Sequence, residues 1–297
     1  MKLRKFWGMK KLQDEILTRK KIENIREKVN FKLEEYFSEL RGIEKNLIDA
    51  MRYSVMSGGK RLRPCILIMF YELCGGKSEK IYEIACAIEI LHTYSLVHDD
   101  LPCMDNDEFR RGKKSTQAVY GEAAALLAGD ALLTASFDIL ARNEFSEEFG
   151  EKNMLRAIKI LSDMAGLGGM ISGQAEDINI DKNSNLTDKD LLKIYENKTA
   201  MLFSAAAKIG AVCAMADDKL ISLAEKYGKY FGIAFQVFDD IADFEKDTGK
   251  KVTYATLHGQ EKSYNLVREY VDVMMNLLEQ TNGETSYLKN FSSVLFK

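Results

Sequence analysis

Proline is almost absent from this chain of 297 residues, which contains only Pro64 and Pro102. Because proline interrupts helices and marks turns, its scarcity favours long uninterrupted helices with short connections. The five cysteines are an odd number without paired close spacing, which predicts buried or free thiols in a reducing compartment and excludes a disulfide framework or a zinc site. Hydrophobic residues at 46% and charged residues at 29% are usual for a soluble globular protein.

The chain also lacks the patterns of membrane and nucleic-acid-binding proteins. No segment approaches the roughly 18 consecutive apolar residues of a membrane span. The basic start, residues 1–11, has no apolar run of the kind found in a signal peptide. A net charge of −3 without a long basic stripe predicts no nucleic-acid partner. We therefore expect a cytoplasmic protein.

Apolar residues at three- and four-residue steps predict a series of helices, and no strand pattern or internal repeat is evident. The predicted helices cover residues 10–40, 47–56, a segment after Pro64, 81–97, 122–142, 151–177, 188–211, 217–244 and 261–281. The polar stretch 178–188 is the clearest loop, with Thr187 as the expected N-cap of the next helix.

Residues 98–112 combine a block of carboxylates with a block of cations. The acidic members are Asp99, Asp100, Asp105, Asp107 and Glu108, and the cations that follow are Arg110, Arg111, Lys113 and Lys114. Hard divalent metals bind carboxylate oxygens and bridge to phosphate oxygens, while guanidinium groups bind phosphate by bidentate contact. A charged loop that only keeps the protein soluble fits equally well. An EF-hand loop does not fit, because Arg110 occupies the position of its turn glycine.

A second acidic cluster lies near residue 240. Gln236, Asp239 and Asp243 fall within an arc of about 60° on one helix face, with Asp240 beside them. Carboxylates this close repel one another and have raised pKa values unless a cation lies among them. Metal binding is the simplest explanation, and it favours the same explanation for the first cluster.

Three cations, Lys60, Arg61 and Arg63, lie between a pair of glycines and Pro64. The glycines end one helix and Pro64 suits the first turn of the next, so the cations lie at a helix N-terminus, where the macrodipole disfavours them. That position predicts a bound anion. The alternative is a loop whose basic side chains simply reach solvent.

Single polar residues on helices add weaker signals. His92 and Asp99 lie within about 20° of each other, two turns apart, although a lone histidine more often serves packing. Lys198 lies among apolar residues and, taken alone, more simply reaches solvent. Gln174 and Asp177 project at three-residue spacing from the glycine-containing helix 151–177.

Together these motifs resemble the trans-isoprenyl diphosphate synthases of the bacterial farnesyl diphosphate synthase type, from Leu47 to about residue 260. The motifs that carry the resemblance, in chain order, are Gly58–Pro64, Leu91–Asp107, Arg110–Gly112, Gly173–Gln174, Lys198–Thr199 and Phe235–Asp243. The resemblance implies one all-α domain over residues 1–297, with long helices around a deep central cavity and residues 1–25 as a peripheral helix or a flexible segment. It also implies a homodimer.

The resemblance further implies a metal-dependent prenyl transfer from an allylic diphosphate, dimethylallyl or geranyl, to isopentenyl diphosphate. About three Mg²⁺ ions, or Mn²⁺, would be held on the allylic diphosphate. The implied metal ligands are Asp99, Asp100, Asp105, Asp239, Asp240 and Asp243. The residues implied to be catalytic are Asp99, Asp105, Lys198 and Asp239. No side-chain nucleophile is needed, in agreement with the lack of a Ser/His/Asp or Cys/His arrangement.

Two substrate-binding sets follow from the same resemblance. The isopentenyl diphosphate set is Lys60, Arg63, His92 and Arg111. The allylic diphosphate set is Arg110, Lys198, Thr199, Gln236 and Lys250. The loop after Asp243 is shorter than in the family, and Lys250 is our choice, over Lys246 and Lys251, for the lysine that the family carries there.

Tyr94 and Ser95 precede the first aspartate motif, where a bulky ring limits chain elongation in this family. They predict a fifteen-carbon product, farnesyl diphosphate, with geranylgeranyl diphosphate or another short-chain product as the alternative. A terpene cyclase needs no isopentenyl site, so Lys60, Arg63 and His92 argue against one. A non-catalytic all-α subunit would typically have lost one aspartate cluster, and both are intact.

Overall fold

The computed structural model describes residues 2–180 and 186–296, with side chains from residue 13 onward. The long helices are α1 (Lys2–Glu39), α2 (Lys45–Met56), α3 (Leu62–Leu73), α4 (Ile81–Asp99), α6 (Glu122–Leu140), α8 (Glu151–Ala165), α9 (Met170–Ile178), α10 (Asp188–Tyr195), α11 (Met201–Cys213), α12 (Asp218–Ala242), α15 (Gln260–Leu278) and α16 (Ser286–Leu295). Short helices are α5 (Thr116–Tyr120), α7 (Asn143–Phe149), α13 (Phe244–Asp247) and α14 (Tyr254–His258). The all-α prediction is confirmed.

The centre of the core is α11, which is apolar on almost every side. Helices of this kind are buried on all faces, and α11 packs between α3, α8 and α12. Gly210 allows the closest approach, because a Cβ there would overlap the main-chain carbonyl of Leu67 on α3. Gly228 on α12 likewise faces the main chain of Phe203 and Ser204 on α11. These two glycines thus allow α3, α11 and α12 to pack closely, and the close packing fixes the positions of the helix ends that carry the candidate site residues.

The prediction of one helix over residues 151–177 is wrong. The chain breaks after Ala165 and α9 begins at Met170. Gly169 has φ −139° and ψ −122°, and a Cβ at this position would overlap the carbonyl of Met164. Gly169 therefore allows the turn between the two helices, whereas Gly173, inside α9, allows close packing against the main chain of Asn197 and Lys198.

Two further features differ from the predicted pattern. Residues 188–211 are helical as predicted, but the stretch Glu196–Ala200 widens into a π-helical turn between α10 and α11. A two-stranded antiparallel hairpin, β1 (Phe109–Arg110) with β2 (Lys113–Lys114), follows the first acidic block where no strand was predicted. Such a hairpin is too short to leave an alternating pattern in the sequence.

The loop predicted over residues 178–188 lies partly outside the described residues. Its end is confirmed as a helix start, because the Thr187 hydroxyl accepts a hydrogen bond from the main-chain N–H of Asp190, at 3.3 Å. The Asp190 carboxylate in turn accepts one from the Thr187 N–H, at 3.2 Å, completing a capping box.

Among the described residues, α6 is the one helix whose length and composition would suit a membrane span, which is weak evidence for a span. Core helices of globular proteins have the same composition, and α6 buries Ala125, Ala128 and Leu132 against the rest of the protein. Its other face leaves Leu126 and Leu127 45% and 58% exposed. This outer face of α6 is an apolar surface that the single chain does not cover.

Candidate active site

A cavity of about 1100 Å³ opens between α3, α4, α9, α12 and the π-helical turn. Its charged and polar lining residues include Lys60, Arg63, His92, Asp99, Arg110, Arg111, Gln174, Lys198, Thr199, Gln236 and Asp239. Its apolar lining residues include Leu62, Tyr94, Leu96, Met104, Leu133, Met170, Ile171, Ile178 and Phe235. A volume of this size accommodates an extended organic ligand, and the lining offers it both a highly charged part and an apolar part.

Asp99 and Asp239 come from different helices and line this one cavity. Asp99 ends α4, and Asp239 lies in the last turn of α12. Burial raises the pKa of Asp99 to about 6, and the nearby Lys198 ammonium partly offsets that effect. Burial also raises the pKa of Asp239 to about 6, against the attraction of Lys60. A bound cation would favour the charged form of both carboxylates.

The donor chemistry of the two carboxylates fits a hard divalent metal. Within the described residues, no three carboxylate, imidazole or thiol side chains converge closely enough to form a metal site by themselves. Magnesium commonly binds one or two carboxylates and takes its other ligands from water and substrate phosphate. Asp99 and Asp239 could therefore each hold magnesium on a phosphorylated ligand between them.

The other four predicted metal ligands do not line the cavity. Asp100 is buried and accepts a hydrogen bond from Nε of Arg110, at 2.9 Å, so it positions that guanidinium group. Asp105 is exposed, on the turn after α4. Asp243 is also exposed, with its carboxylate 4.0 Å from the ammonium of Lys246.

Asp240 is the centre of a buried hydrogen-bond chain behind the cavity wall. It accepts a hydrogen bond from Nε2 of Gln236, at 3.0 Å, and one from the hydroxyl of Tyr195, at 2.5 Å. The Thr199 hydroxyl donates to Oε1 of Gln236, at 2.9 Å, and the main-chain N–H of Tyr254 donates to the Tyr195 hydroxyl, at 2.9 Å. The chain connects the cavity wall to the segment that follows the second acidic cluster.

The predicted anion site contains a buried cation with a free donor. Nε of Arg63 is buried and has no hydrogen-bond partner in the described part of the chain. Its guanidinium group lies 4.1 Å from the ring centroid of Phe203, and the Lys60 ammonium lies 5.3 Å from that of Phe235. Burial lowers the pKa of Arg63 to about 10, partly offset by Glu89. An anion would satisfy the unpartnered donor.

Arg61 and Glu89 also border the cavity, but the guanidinium group of Arg61 is occupied by protein partners and is not free to bind an anion as predicted. The φ of 52° at Arg61 turns the chain at the start of α3 and directs the side chain into the core. There it pairs with Glu89 at 2.7 Å and donates to the carbonyl of Val55, at 2.7 Å, and the side chain of Asn30, at 3.0 Å. A cation in the core requires such partners, because burial without them is costly.

His92 and Arg111 line the cavity with Arg63. Burial and the positive charge of Arg63 and other arginines hold the pKa of His92 well below its usual value, so the imidazole is neutral and available as a hydrogen-bond donor. Arg111 donates to the carbonyl of Gly58, which fixes the hairpin against the loop before α3. The helical alignment of His92 with Asp99 is confirmed by their place in one cavity.

Two functional residues were noticed in the sequence without being assigned a role. Nε2 of Gln174 donates to the Asp99 carboxylate, at 2.9 Å, while its own Oε1 is buried and unpartnered in the described residues. The Asp177 carboxylate lies 2.5 Å from the ammonium of Lys198 and holds it at the cavity. Lys198 therefore does not simply reach solvent. The signal in the sequence that could have identified these two residues was the three-residue spacing of Gln174 and Asp177 just after Gly173.

Tyr94 and Ser95 both line the cavity, and Tyr94 is only 5% exposed. Lys250 is different. It is exposed on the turn after α13 and is absent from the cavity lining. The structure thus brings together all the predicted substrate-binding residues except Lys250.

Comparison with known proteins agrees with this geometry. The sequence model of the family described as Polyprenyl synthetase matches residues 44–271. Farnesyl diphosphate synthase of Bacillus subtilis (strain 168) is 40% identical over 219 residues, which cover 73% of each chain. Geranylgeranyl pyrophosphate synthase 4 of Arabidopsis thaliana is 40% identical over 238 residues, which cover 75% of this chain and only 63% of that relative's length.

Solved structures show the same fold over nearly the whole chain. An FPP/GFPP synthase from Zymomonas mobilis superposes with a TM-score of 0.88 at 29% identity, covering 95% of this chain and all of that one. A geranyltransferase from Helicobacter pylori gives 0.82 at 33% identity, covering 94% and 98%. The fold is that of the all-α isoprenoid synthases. The chain belongs to the polyprenyl synthetase family, which confirms the resemblance seen in its motifs.

Proposed function

We propose that the protein is a head-to-tail prenyltransferase that condenses isopentenyl diphosphate with dimethylallyl or geranyl diphosphate and makes mainly farnesyl diphosphate. The observation that carries the proposal is the convergence of Asp99 and Asp239 on one cavity that also holds a separate group of cations. The chain spans 63% and 62% of the length of two plant relatives whose names describe geranylgeranyl synthases. The activity and the product are therefore our own assignment.

In this proposal Asp99 and Asp239 hold magnesium on the allylic diphosphate. The exposed Asp105 and Asp243, from the same two acidic clusters, supply further metal ligands. Bound magnesium would neutralise the diphosphate and make pyrophosphate a better leaving group. Lys198, held by Asp177, and Arg110, held by Asp100, bind the same diphosphate. Asp100 and Asp240 act here by positioning neighbouring side chains, and direct metal binding by these two is a weaker alternative.

The second diphosphate, that of isopentenyl diphosphate, binds at the separate group of cations in the same cavity. Lys60, Arg63 and Arg111 neutralise isopentenyl diphosphate, and neutral His92 donates a hydrogen bond to it. Thr199 and Gln236, fixed through Asp240, line the cavity where the new bond forms. The apolar lining excludes water from the reacting carbon, since water would intercept an allylic cation. A terpene cyclase has no use for the second group of cations.

The length of the product follows from the ring of Tyr94, with Ser95 beside it. A buried ring that narrows the apolar part of the cavity limits a growing chain by contact, so fifteen carbons is our assignment. Relatives at about equal identity are named as farnesyl and as geranylgeranyl synthases. The twenty-carbon product is therefore the specific alternative.

We also propose that two copies of the chain associate through the outer face of α6. That face exposes Leu126 and Leu127, and neighbouring exposed apolar side chains of this kind are a feature of protein interfaces. A 41% identical relative from Arabidopsis thaliana is named as the large subunit of a heterodimeric enzyme, so an unlike partner is the alternative. The cytoplasmic location stays a prediction.

The test is incubation of the purified protein with isopentenyl diphosphate, each allylic primer and magnesium, followed by chromatography of the dephosphorylated products. We expect farnesol from either primer and no product after chelation of divalent metal. Asp239→Asn should lower kcat by about 10²-fold or more, because it removes a charge that stabilises the leaving group. Asp272→Asn, which changes an exposed carboxylate on α15, is the matched control. Product formation after chelation, or equal activity in both variants, would contradict the proposal.

A further inference from the structure

His98, in the last turn of α4, lines the cavity but is not used by the proposed chemistry. Its ring extends toward α6, where Nε2 lies 3.1 Å from the main-chain carbonyl oxygen of Leu126 and 3.8 Å from the carboxylate of Asp130. Because a carbonyl oxygen can only accept a hydrogen bond, Nε2 is the donor. The contact ties the end of α4 to α6 one residue before Asp99.

Gly129 on α6 provides the space that the imidazole occupies. The position is buried, and a Cβ there would overlap Nε2 and Cδ2 of His98. Every residue other than glycine would therefore displace the ring. The donor bond from one side and the glycine surface from the other define one orientation of the imidazole.

The imidazole is in turn the support of the Tyr94 ring. The two ring centroids are 5.7 Å apart and the ring planes meet at 84°, an edge-to-face contact. In the described part of the chain no hydrogen bond holds the Tyr94 hydroxyl, so packing against neighbours such as His98 sets the position of this ring. Tyr94 is the residue to which we assign the limit on product length.

We propose that His98 is a specificity-determining positioning residue, which holds the Tyr94 ring across the apolar part of the cavity by bracing it against α6. The inference rests on the proposed prenyl transfer and adds a residue that acts on its product length. If the bracing contact is lost, the Tyr94 ring gains room to rotate into the vacated volume. The cavity then accepts a longer chain.

The experiment compares the ratio of twenty-carbon to fifteen-carbon product in wild type, His98→Ala, Tyr94→Ala and the double variant. We expect His98→Ala to raise the ratio about tenfold, which is the low end of what a change in an apolar pocket produces. If His98 acts through Tyr94, the double variant gives the same distribution as Tyr94→Ala alone. Thr134→Ala, an exposed change on α6, is the control and should keep the wild-type ratio.

The inference is overturned if folded His98→Ala keeps the wild-type ratio, or if the double variant makes longer products than Tyr94→Ala. Should His98→Ala fail to fold, Gly129→Ala displaces the same ring from the α6 side, and an unchanged ratio in that variant overturns the inference as well. A wild-type protein that forms no prenyl diphosphate from any primer overturns the proposed function itself. The two failures are thus distinguishable.

Discussion

The carboxylates of Asp99 and Asp239 have to lose protons before they can hold a metal, and burial makes that loss harder in the folded protein. Their pKa values are raised from 3.8 to about 6, so between these values the folded protein binds more protons than the unfolded chain does. Their contribution to the stability of the metal-free protein is present at low pH and is lost as the pH rises through about 6. Above that pH, the charged pair favours metal binding.

We therefore expect magnesium with inorganic pyrophosphate to raise Tm more at pH 7 than at pH 5, because metal ligation needs the deprotonated carboxylates. The measurement is thermal unfolding across this range, with and without the two ions. The Asp99→Asn/Asp239→Asn double variant is the control, because the protonation of pyrophosphate changes with pH in both proteins alike. In this variant magnesium with pyrophosphate should raise Tm only slightly at either pH. An equal shift in wild type and double variant would contradict the assignment of these carboxylates.

At the scale of single elements, the start of α3 depends on one buried ion pair. The side chains of Arg61 and Glu89 are 1% and 2% exposed, and Arg61 holds a left-handed backbone conformation between Lys60 and Arg63. Charges this deeply buried require each other, since the loss of one partner leaves the other unpaired. The pair therefore fixes how the chain enters the anion site.

Glu89→Gln should lower the free energy of unfolding by about 3 kcal/mol, because it leaves the Arg61 charge without its counterion. The matched control is Glu34→Gln, whose carboxylate pairs with Arg52 at the surface. An exposed pair of this kind contributes less than about 1 kcal/mol. Urea unfolding measures both variants, and equal losses would show that the buried pair has no special role.

At the scale of the whole molecule, the outer face of α6 leaves apolar side chains uncovered. The outer face of α6 belongs to the same helix whose carbonyl and glycine support His98, so a second chain on that face would cover the region behind the cavity. Burial of such a surface stabilises an assembly roughly in proportion to the apolar area removed from water. The same helix, α6, would therefore form the contact between two chains and support the wall of the cavity.

Leu127→Glu should convert a dimer into monomers, because it places a charge at the centre of the apolar contact. Sedimentation velocity measures the outcome. Phe31→Glu is the matched control, since Phe31 is 62% exposed on α1 and lies outside the outer face of α6. Wild-type protein that sediments as a monomer, or Leu127→Glu that remains a dimer, would contradict the assignment of the interface.

Most of the helices, the family and the residue types of the site could be predicted from the amino-acid sequence. Three- and four-residue apolar periodicity is a local signal that survives without the fold, which is why helices such as α4 and α12 are recovered close to their observed bounds. The two acidic clusters were found because the members of each lie close together in the sequence. Helix breaks were recovered less well, because the four glycines of residues 166–173 suit packing as much as turning.

Which charged side chains reach the cavity with donors left free depends on the three-dimensional packing of the helices. Arg61 and Arg63 are two residues apart and both border the cavity, yet Arg61 pairs with Glu89 while Nε of Arg63 has no partner among the described residues. Lys250 remains at the surface, while Gln174 reaches Asp99 from 75 positions away. These outcomes depend on partners distant in sequence and on the cost of burying a charge without one. That cost is set by the folded surroundings and leaves no periodic trace in the chain.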